Sequence, residues 1–167
     1  MSAYAIIFDL DGCLADWSHR LHYIEIKGPV MDPKPNADWD AFYDAMPDDP
    51  VLPGAVLYNL LVNQSRFLQR QVALGKGSFD VPVVDILTCR PEKMRAVTES
   101  WFERNGLLKP RAMHMRADDD DRPHAEIKLE MYRQHYLGKE EVIAVFDDNP
   151  DIIAAFRSAG VMAYHVA

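Results

Sequence analysis

Cysteine is scarce in this 167-residue chain: Cys13 and Cys89 are too few for a disulfide framework, and no third or fourth Cys stands at the spacing of a zinc site. They read as free thiols. Long hydrophobic runs are missing too, since the stretches around Val51 to Val62 and Val81 to Leu87 are too short or too interrupted to span a bilayer. The N-terminal residues enter a strand-like run with no basic and then apolar leader, so the expectation is a soluble, cytoplasmic protein without a membrane contact. Positive charge is in deficit: 18 Lys and Arg against 26 Asp and Glu leave a formal charge of −8, which argues against a nucleic-acid coat protein. No internal repeat or low-complexity tract is visible.

What is present fits a single domain with a proper core, at 49% apolar residues. The charge is uneven. Residues 1–50 carry three Lys/Arg against ten Asp/Glu, whereas residues 90–133 carry ten against nine, so the second half holds cations that can receive an anion. A solvated surface of mixed charge would look the same.

Short apolar runs at Ala3 to Phe8, Val81 to Leu87, Ala112 to Met115, Val142 to Phe146 and Val161 to His165 predict five strands. Helical patterns fall between them, over Pro53 to about Leu74, Glu92 to Asn105 behind Pro91, Arg122 to Tyr136, and from Asn149-Pro150 to near Gly160. Such alternation implies parallel crossover units and a three-layer, Rossmann-like α/β fold with a central parallel sheet. Residues 15–50 interrupt the rhythm with Trp17, Trp39 and a helical piece at Ala37 to Met46, and read as a small cap-like insertion within one domain of residues 1–167.

Ligands of an open parallel sheet bind beyond the carboxyl ends of its strands, so the residues after each strand belong together. Asp9 and Asp11 follow the first strand, with Gly12 permitting a sharp turn. Residues two apart in an extended chain share a side, so these two charges crowd unless a cation intervenes; the alternative is an acidic turn after an edge strand. Thr88-Cys89-Arg90 follow the second strand, ahead of a helix whose first amides favour an anion, and Asp147-Asp148 follow the fourth. Four carboxylates on one rim, with no Cys/His set, select a hard cation such as Mg²⁺, which is commonly completed by substrate phosphate; Thr88 and Lys128 offer partners for its remaining oxygens.

With Asp9-Leu10-Asp11-Gly12, Thr88, Lys128 and Asp147-Asp148 in this order, the chain resembles the haloacid dehalogenase superfamily of phosphotransferases along nearly its whole length. The resemblance implies a Mg²⁺-dependent phosphomonoester hydrolase. In it Asp9 is the nucleophile forming an aspartyl-phosphate, and Asp11 is the acid that protonates the leaving oxygen and then activates water. Thr88 and Lys128 would bind phosphoryl oxygens. Mg²⁺ would rest on Asp9, the backbone carbonyl of Asp11, and Asp147, with Asp148 or Asp151 assisting. Charge neutralisation by Mg²⁺ and Lys128 would keep Asp9 ionised, while Asp11 could hold a proton.

A closer likeness is to the 3′-phosphatase domain of phage polynucleotide kinase. Arg20, eleven residues past Asp9, Arg90, two past Thr88, and Met115-Arg116 followed by Asp121-Arg122 carry it. It implies a nucleic-acid 3′ end or a nucleotide as substrate, touched by Arg20, Cys89, Arg90, Arg116 and Arg122. Free nucleoside monophosphates, other small phosphate esters and a non-catalytic binding module are the alternatives; no stable protein partner is expected. The chain departs from that pattern with His124 where an acidic residue belongs, Cys13 in place of Thr, and no kinase half. Asp118 to Asp121 reads either as a second metal site or as a solvated loop pairing with Arg116 and Arg122. Trp17, Trp39 and Tyr43 either stack a base or pack the insertion onto the sheet. Cys13 and Cys89, beside Asp11 and Thr88, are either inert buried thiols or points at which oxidation inactivates.

Overall fold

The computed structural model describes residues 3–24, 37–78 and 80–166. Five parallel strands form one sheet: β1 (Ala3–Phe8), β2 (Val83–Pro91), β3 (Met113–Arg116), β4 (Glu140–Asp147) and β5 (Ala163–His165), in the spatial order β3-β2-β1-β4-β5. Among the described residues, five α-helices accompany them: α1 (Trp39–Asp44), α2 (Gly54–Ala73), α3 (Arg95–Arg104), α4 (His124–His135) and α5 (Pro150–Ser158). The expected α/β architecture is what the chain adopts. No described helix is long and apolar enough to cross a membrane.

Alternation along β1 builds both halves of the core. Ile6 and Phe8 join Tyr58 and Val62 of α2 and Trp101 and Phe102 of α3, while Ala5 and Ile7 join Ile127 and Met131 of α4 and Ile152, Ile153 and Phe156 of α5. Both faces of β1 are thus sealed, so its polar successor Asp9 can only emerge at the strand's end. From β1 the chain lays β2 and β3 to one side and then crosses to lay β4 and β5 on the other. The reversal opens a crevice at the carboxyl ends of β1 and β4, where the Asp9 amide donates to the Phe146 carbonyl at 2.8 Å.

Two of the boundaries that differ from expectation bear on the site. β2 continues through Thr88, Cys89 and Arg90 to Pro91, because β3 supplies a pairing partner, Arg116, opposite Pro91. The following turn is a short 3₁₀ segment, Glu92–Met94, and α3 begins only at Arg95, so no α-helix N-terminus stands directly behind Thr88. Within residues 15–50, a 3₁₀ turn at Ser18–Tyr23 and another at Met46–Asp48 flank α1, whose start Asp38 caps by accepting from the Ala41 amide. Residues 25–36 of that segment lie outside the described residues.

Candidate active site

Two buried ionic groups meet at the end of β1. The first gathers Asp9, Asp147, Asp148 and Lys128. α4 carries Lys128 beneath the crevice, and its ammonium donates to Asp9 Oδ1 and Asp147 Oδ2, both at 2.7 Å. Asp147 Oδ1 accepts from the Asn149 amide, and the Asn149 side chain caps α5, so the turn that aims Asp147 is locked by local bonds. Asp148 approaches from the same turn, where its carbonyl accepts from His165 Nε2 at 2.8 Å. One carboxylate oxygen from each of Asp9, Asp147 and Asp148 lies within 4.8 Å of the others.

Gly12 makes the approach of Asp148 possible: its φ is +82°, and a Cβ there would fall 1.9 Å from Asp148 Oδ2. A side chain at position 12 would be strained by the backbone conformation and would have to displace the Asp148 carboxylate.

Three carboxylates face one ammonium, and their proton affinities follow. Burial raises Asp9 well above its ordinary value; Lys128 opposes this, and Asp147 and Asp148 reinforce it. Asp148 rises to about 6, by burial and then by Asp147. Lys128 is disfavoured by burial, but Asp147 and Asp9 more than offset this and hold its pKa well above normal. Lys128 alone does not offset burial and the two neighbouring acids; the expectation of an ionised Asp9 counted on Mg²⁺ as well. The donor set is all oxygen, the oxygens are mutually close, and the group lacks positive charge, so these residues fit a hard divalent cation such as Mg²⁺.

The second group is closed. Arg20 donates to Asp11 Oδ1 at 2.6 Å, and Arg90 grips both Asp11 oxygens, Nε to Oδ2 at 2.9 Å and Nη2 to Oδ1 at 2.6 Å. Both guanidinium groups also bind Asp49, which is buried behind them. Asp11 is therefore not in the metal-fitting set through its side chain. Burial raises its pKa, but Arg90 and Arg20 overcome that and bring it down to about 2. The expectation that Asp11 would carry a proton is not met in this state. Arg20 and Arg90 are almost wholly buried, with 0% and 2% of their surface exposed, and they face carboxylates rather than an open groove.

The other expected residues divide. Thr88, near the end of β2, is buried, and its Oγ1 accepts from the Arg90 amide. It forms no hydrogen bond to Asp9, Lys128 or Asp147, the three residues joined directly through the Lys128 ammonium. Arg116 is buried; it donates to the Cys89 carbonyl at 3.0 Å and to Tyr43 Oη at 3.2 Å. Arg122 is tied to Asp120 and Glu130 on an exposed surface. The Asp118–Asp121 loop takes its partners from Lys93, Arg116 and Arg122, as a solvated loop does. Trp39 stacks on Tyr43, and Trp17 and Trp39 set their edges against Phe42, which packs under Arg20. Burial pushes the Cys89 thiol up to about 12 and raises Cys13 as well, which favours the thiol over the nucleophilic thiolate at both. His124 is held down to about 4 by burial, with Lys128 and Arg116 adding to the effect. Asp49 was not singled out from sequence, where it is one of several acids in a Pro-flanked loop.

A model of the polynucleotide kinase PNKP phosphatase domain matches residues 84–167, a span holding Thr88, Arg90, Lys128, Asp147 and Asp148; Asp9, Asp11, Arg20 and Asp49 precede it. Over 60 residues the chain is 36% identical to a protein of Autographa californica nuclear polyhedrosis virus described as a bifunctional polynucleotide kinase/RNA ligase, an alignment covering 36% of this chain and 9% of the viral one. Among solved structures, a chain of the Pnkp1/Rnl/Hen1 complex superposes with a TM-score of 0.68 at 21% identity, over 99% of this chain and 46% of that one. A haloacid dehalogenase-like hydrolase from Streptococcus pneumoniae gives 0.61 at 16% identity, over 99% and 85%. At these identities the structural likeness is one of fold, and this chain spans less than half of the first structural relative.

Proposed function

The chain belongs to the polynucleotide kinase PNKP phosphatase domain family of haloacid dehalogenase-type phosphatases, and from that premise we propose that it hydrolyses the 3′-phosphate of a nucleic-acid end or nucleotide, using Mg²⁺ and a phosphoryl group carried transiently on Asp9. We read residues 1–167 as one such unit, with 15–50 as its cap, working in the cytoplasm. The observation that carries the proposal is the convergence of Asp9, Asp147 and Asp148 around Lys128.

Asp9 attacks phosphorus in line with the ester oxygen: the Asp9 O–P bond forms as the P–O ester bond breaks, and the leaving oxygen takes a proton from Asp11. Water then attacks phosphorus, gives its proton to Asp11, and frees Asp9 and inorganic phosphate. Asp9, Asp147, Asp148 and the Asp11 carbonyl would hold Mg²⁺, which would supply neutralisation of phosphoryl charge. Lys128 orients Asp9 and shares that task, and Thr88 offers its O–H to a phosphoryl oxygen. The clamp of Arg20 and Arg90 favours the ionised form of Asp11 that the second step needs. For the first step its grip must loosen enough for Asp11 to carry a proton.

One observation favours smaller phosphate esters. Arg122, expected to extend a basic groove, is already paired with two acids. Phosphate release from a 3′-phosphorylated oligonucleotide, a 3′-mononucleotide and a 5′-mononucleotide, each with Mg²⁺ or EDTA over a salt series, tests both readings. The proposal expects Mg²⁺-dependent preference for the 3′ esters, with oligonucleotide turnover falling steeply with salt if an extended strand is held. Equal turnover of 3′ and 5′ mononucleotides, with no gain from the oligonucleotide, favours the small-ester reading. Release that is insensitive to EDTA contradicts the metal assignment.

A further inference from the structure

We propose that Asp49 is a positioning residue for proton transfer by Asp11; the inference rests on the acid and base role given to Asp11 above. Asp49 stands where the 15–50 segment returns to the core, and its side chain is fully buried. Arg20 forks onto it, Nε to Oδ1 at 2.8 Å and Nη2 to Oδ2 at 2.9 Å, and the same Nη2 reaches Asp11. Arg90 forks instead onto Asp11, and its Nη2 reaches back to Asp49 Oδ2 at 2.8 Å. Each guanidinium is thus bidentate on one aspartate and shared with the other, a planar geometry that fixes both side chains.

Asp49 is itself anchored. Its carbonyl accepts from Trp101 Nε1 at 2.8 Å, and His19 Nε2 lies 3.0 Å from Oδ1. Phe42 lies across the Arg20 guanidinium, 4.2 Å from its carbon to the ring centroid. Two carboxylates balance two guanidinium groups in a site nearly closed to water, so removing one carboxylate leaves buried donors that have only Asp11 to turn to. Asp49 makes no hydrogen bond to Lys128 or to the three acids of the metal-fitting group. Its loss therefore acts on the placement of Asp11 and spares the arrangement of the nucleophile.

Leaving-group chemistry separates this role from a merely structural one. Departure of p-nitrophenolate needs little protonation, whereas a more basic leaving oxygen depends on the acid. The test is kcat/KM with Mg²⁺ across substituted phenyl phosphates of rising leaving-group pKa, for the whole chain, Asp11→Asn, Asp49→Asn and Asp49→Glu. Asp49→Asn is expected to lose less than about tenfold on p-nitrophenyl phosphate and more than about a hundredfold on phenyl phosphate, steepening the dependence as Asp11→Asn does. Asp49→Glu keeps the charge but displaces it by one methylene, and gives an intermediate slope that remains measurable should Asp49→Asn fail to fold. A uniform loss across the series in the Asp49 variants, with a steepened dependence in Asp11→Asn, overturns the inference alone. A uniform loss in Asp11→Asn overturns the acid assignment and this inference with it.

Discussion

Asp9 and Asp11 are the same residue type, two positions apart, one buried and the other half-buried in the site, yet their environments drive their pKa values in opposite directions. Asp9 belongs to a group of three carboxylates and one ammonium, and Asp11 to a group of two carboxylates and two guanidinium ions. The first lacks positive charge and suits a cation and a phosphate that come and go. The second is balanced within the protein and holds its carboxylates in place when no substrate is bound. A long-range charge count over the chain would not distinguish them; bond-by-bond partners do.

The strongest challenge to this division is Asp9→Asn. It removes the attacking oxygen and is expected to lower turnover of any monoester by at least about four orders of magnitude; near wild-type hydrolysis of p-nitrophenyl phosphate would refute the nucleophile assignment. Next comes a matched pair. Lys128→Met leaves Asp9 and Asp147 buried without their ammonium, and Arg20→Met leaves Asp11 and Asp49 with half their partners, each costing on the order of 3 kcal/mol in EDTA. Chemical denaturation with and without Mg²⁺ separates them: Mg²⁺ should restore stability to Lys128→Met and not to Arg20→Met. Equal rescue of both would erase the distinction.

Gly12→Ala is a smaller disturbance of the open group. The added Cβ would overlap Asp148, at a φ unfavourable to alanine, so a loss of about 1 to 3 kcal/mol is expected, together with weaker Mg²⁺ binding by calorimetry. Wild-type affinity would show that Asp148 is not needed by the ion. The smallest effect is in pH. Asp148 is raised from 3.8 to about 6, so the folded chain keeps a proton that the unfolded chain releases, and stability falls as pH rises through that window. Asp11 is lowered from 3.8 to about 2, so its contribution is present above about 4 and is lost as pH falls toward 2. In EDTA, Asp148→Asn should raise Tm by a few degrees at pH 7, where the shift sets an upper bound of about 3 kcal/mol, and by almost nothing at about pH 3, below both pKa values. A decrease at pH 7 would mean that Asp148 is not repelled there.

The sheet and the open group were legible in the sequence because both are written locally. Apolar runs mark the strands, and Asp9, Lys128 and Asp147 each follow or sit on an element whose end the topology brings to one crevice. The end of β2 was not, since Thr88-Cys89-Arg90-Pro91 reads as a turn until Arg116 of β3 is opposite Pro91. Asp49 was illegible for another reason: Met46-Pro47-Asp48-Asp49-Pro50 has the composition of an acidic surface loop, and its partners lie 29 and 41 residues away. The two arginines were singled out from sequence as substrate contacts; that they also hold Asp11 and Asp49 was not legible there.

The division between an open and a closed group is tested most directly by a crystal of the chain soaked in Mn²⁺ as a substitute for Mg²⁺ and read by anomalous scattering. The account predicts one peak among the carboxylates of Asp9, Asp147 and Asp148, with Asp11, Asp49, Arg20 and Arg90 unmoved. A peak on the Asp11 and Asp49 carboxylates, or none near Asp9 at saturating Mn²⁺, would contradict it.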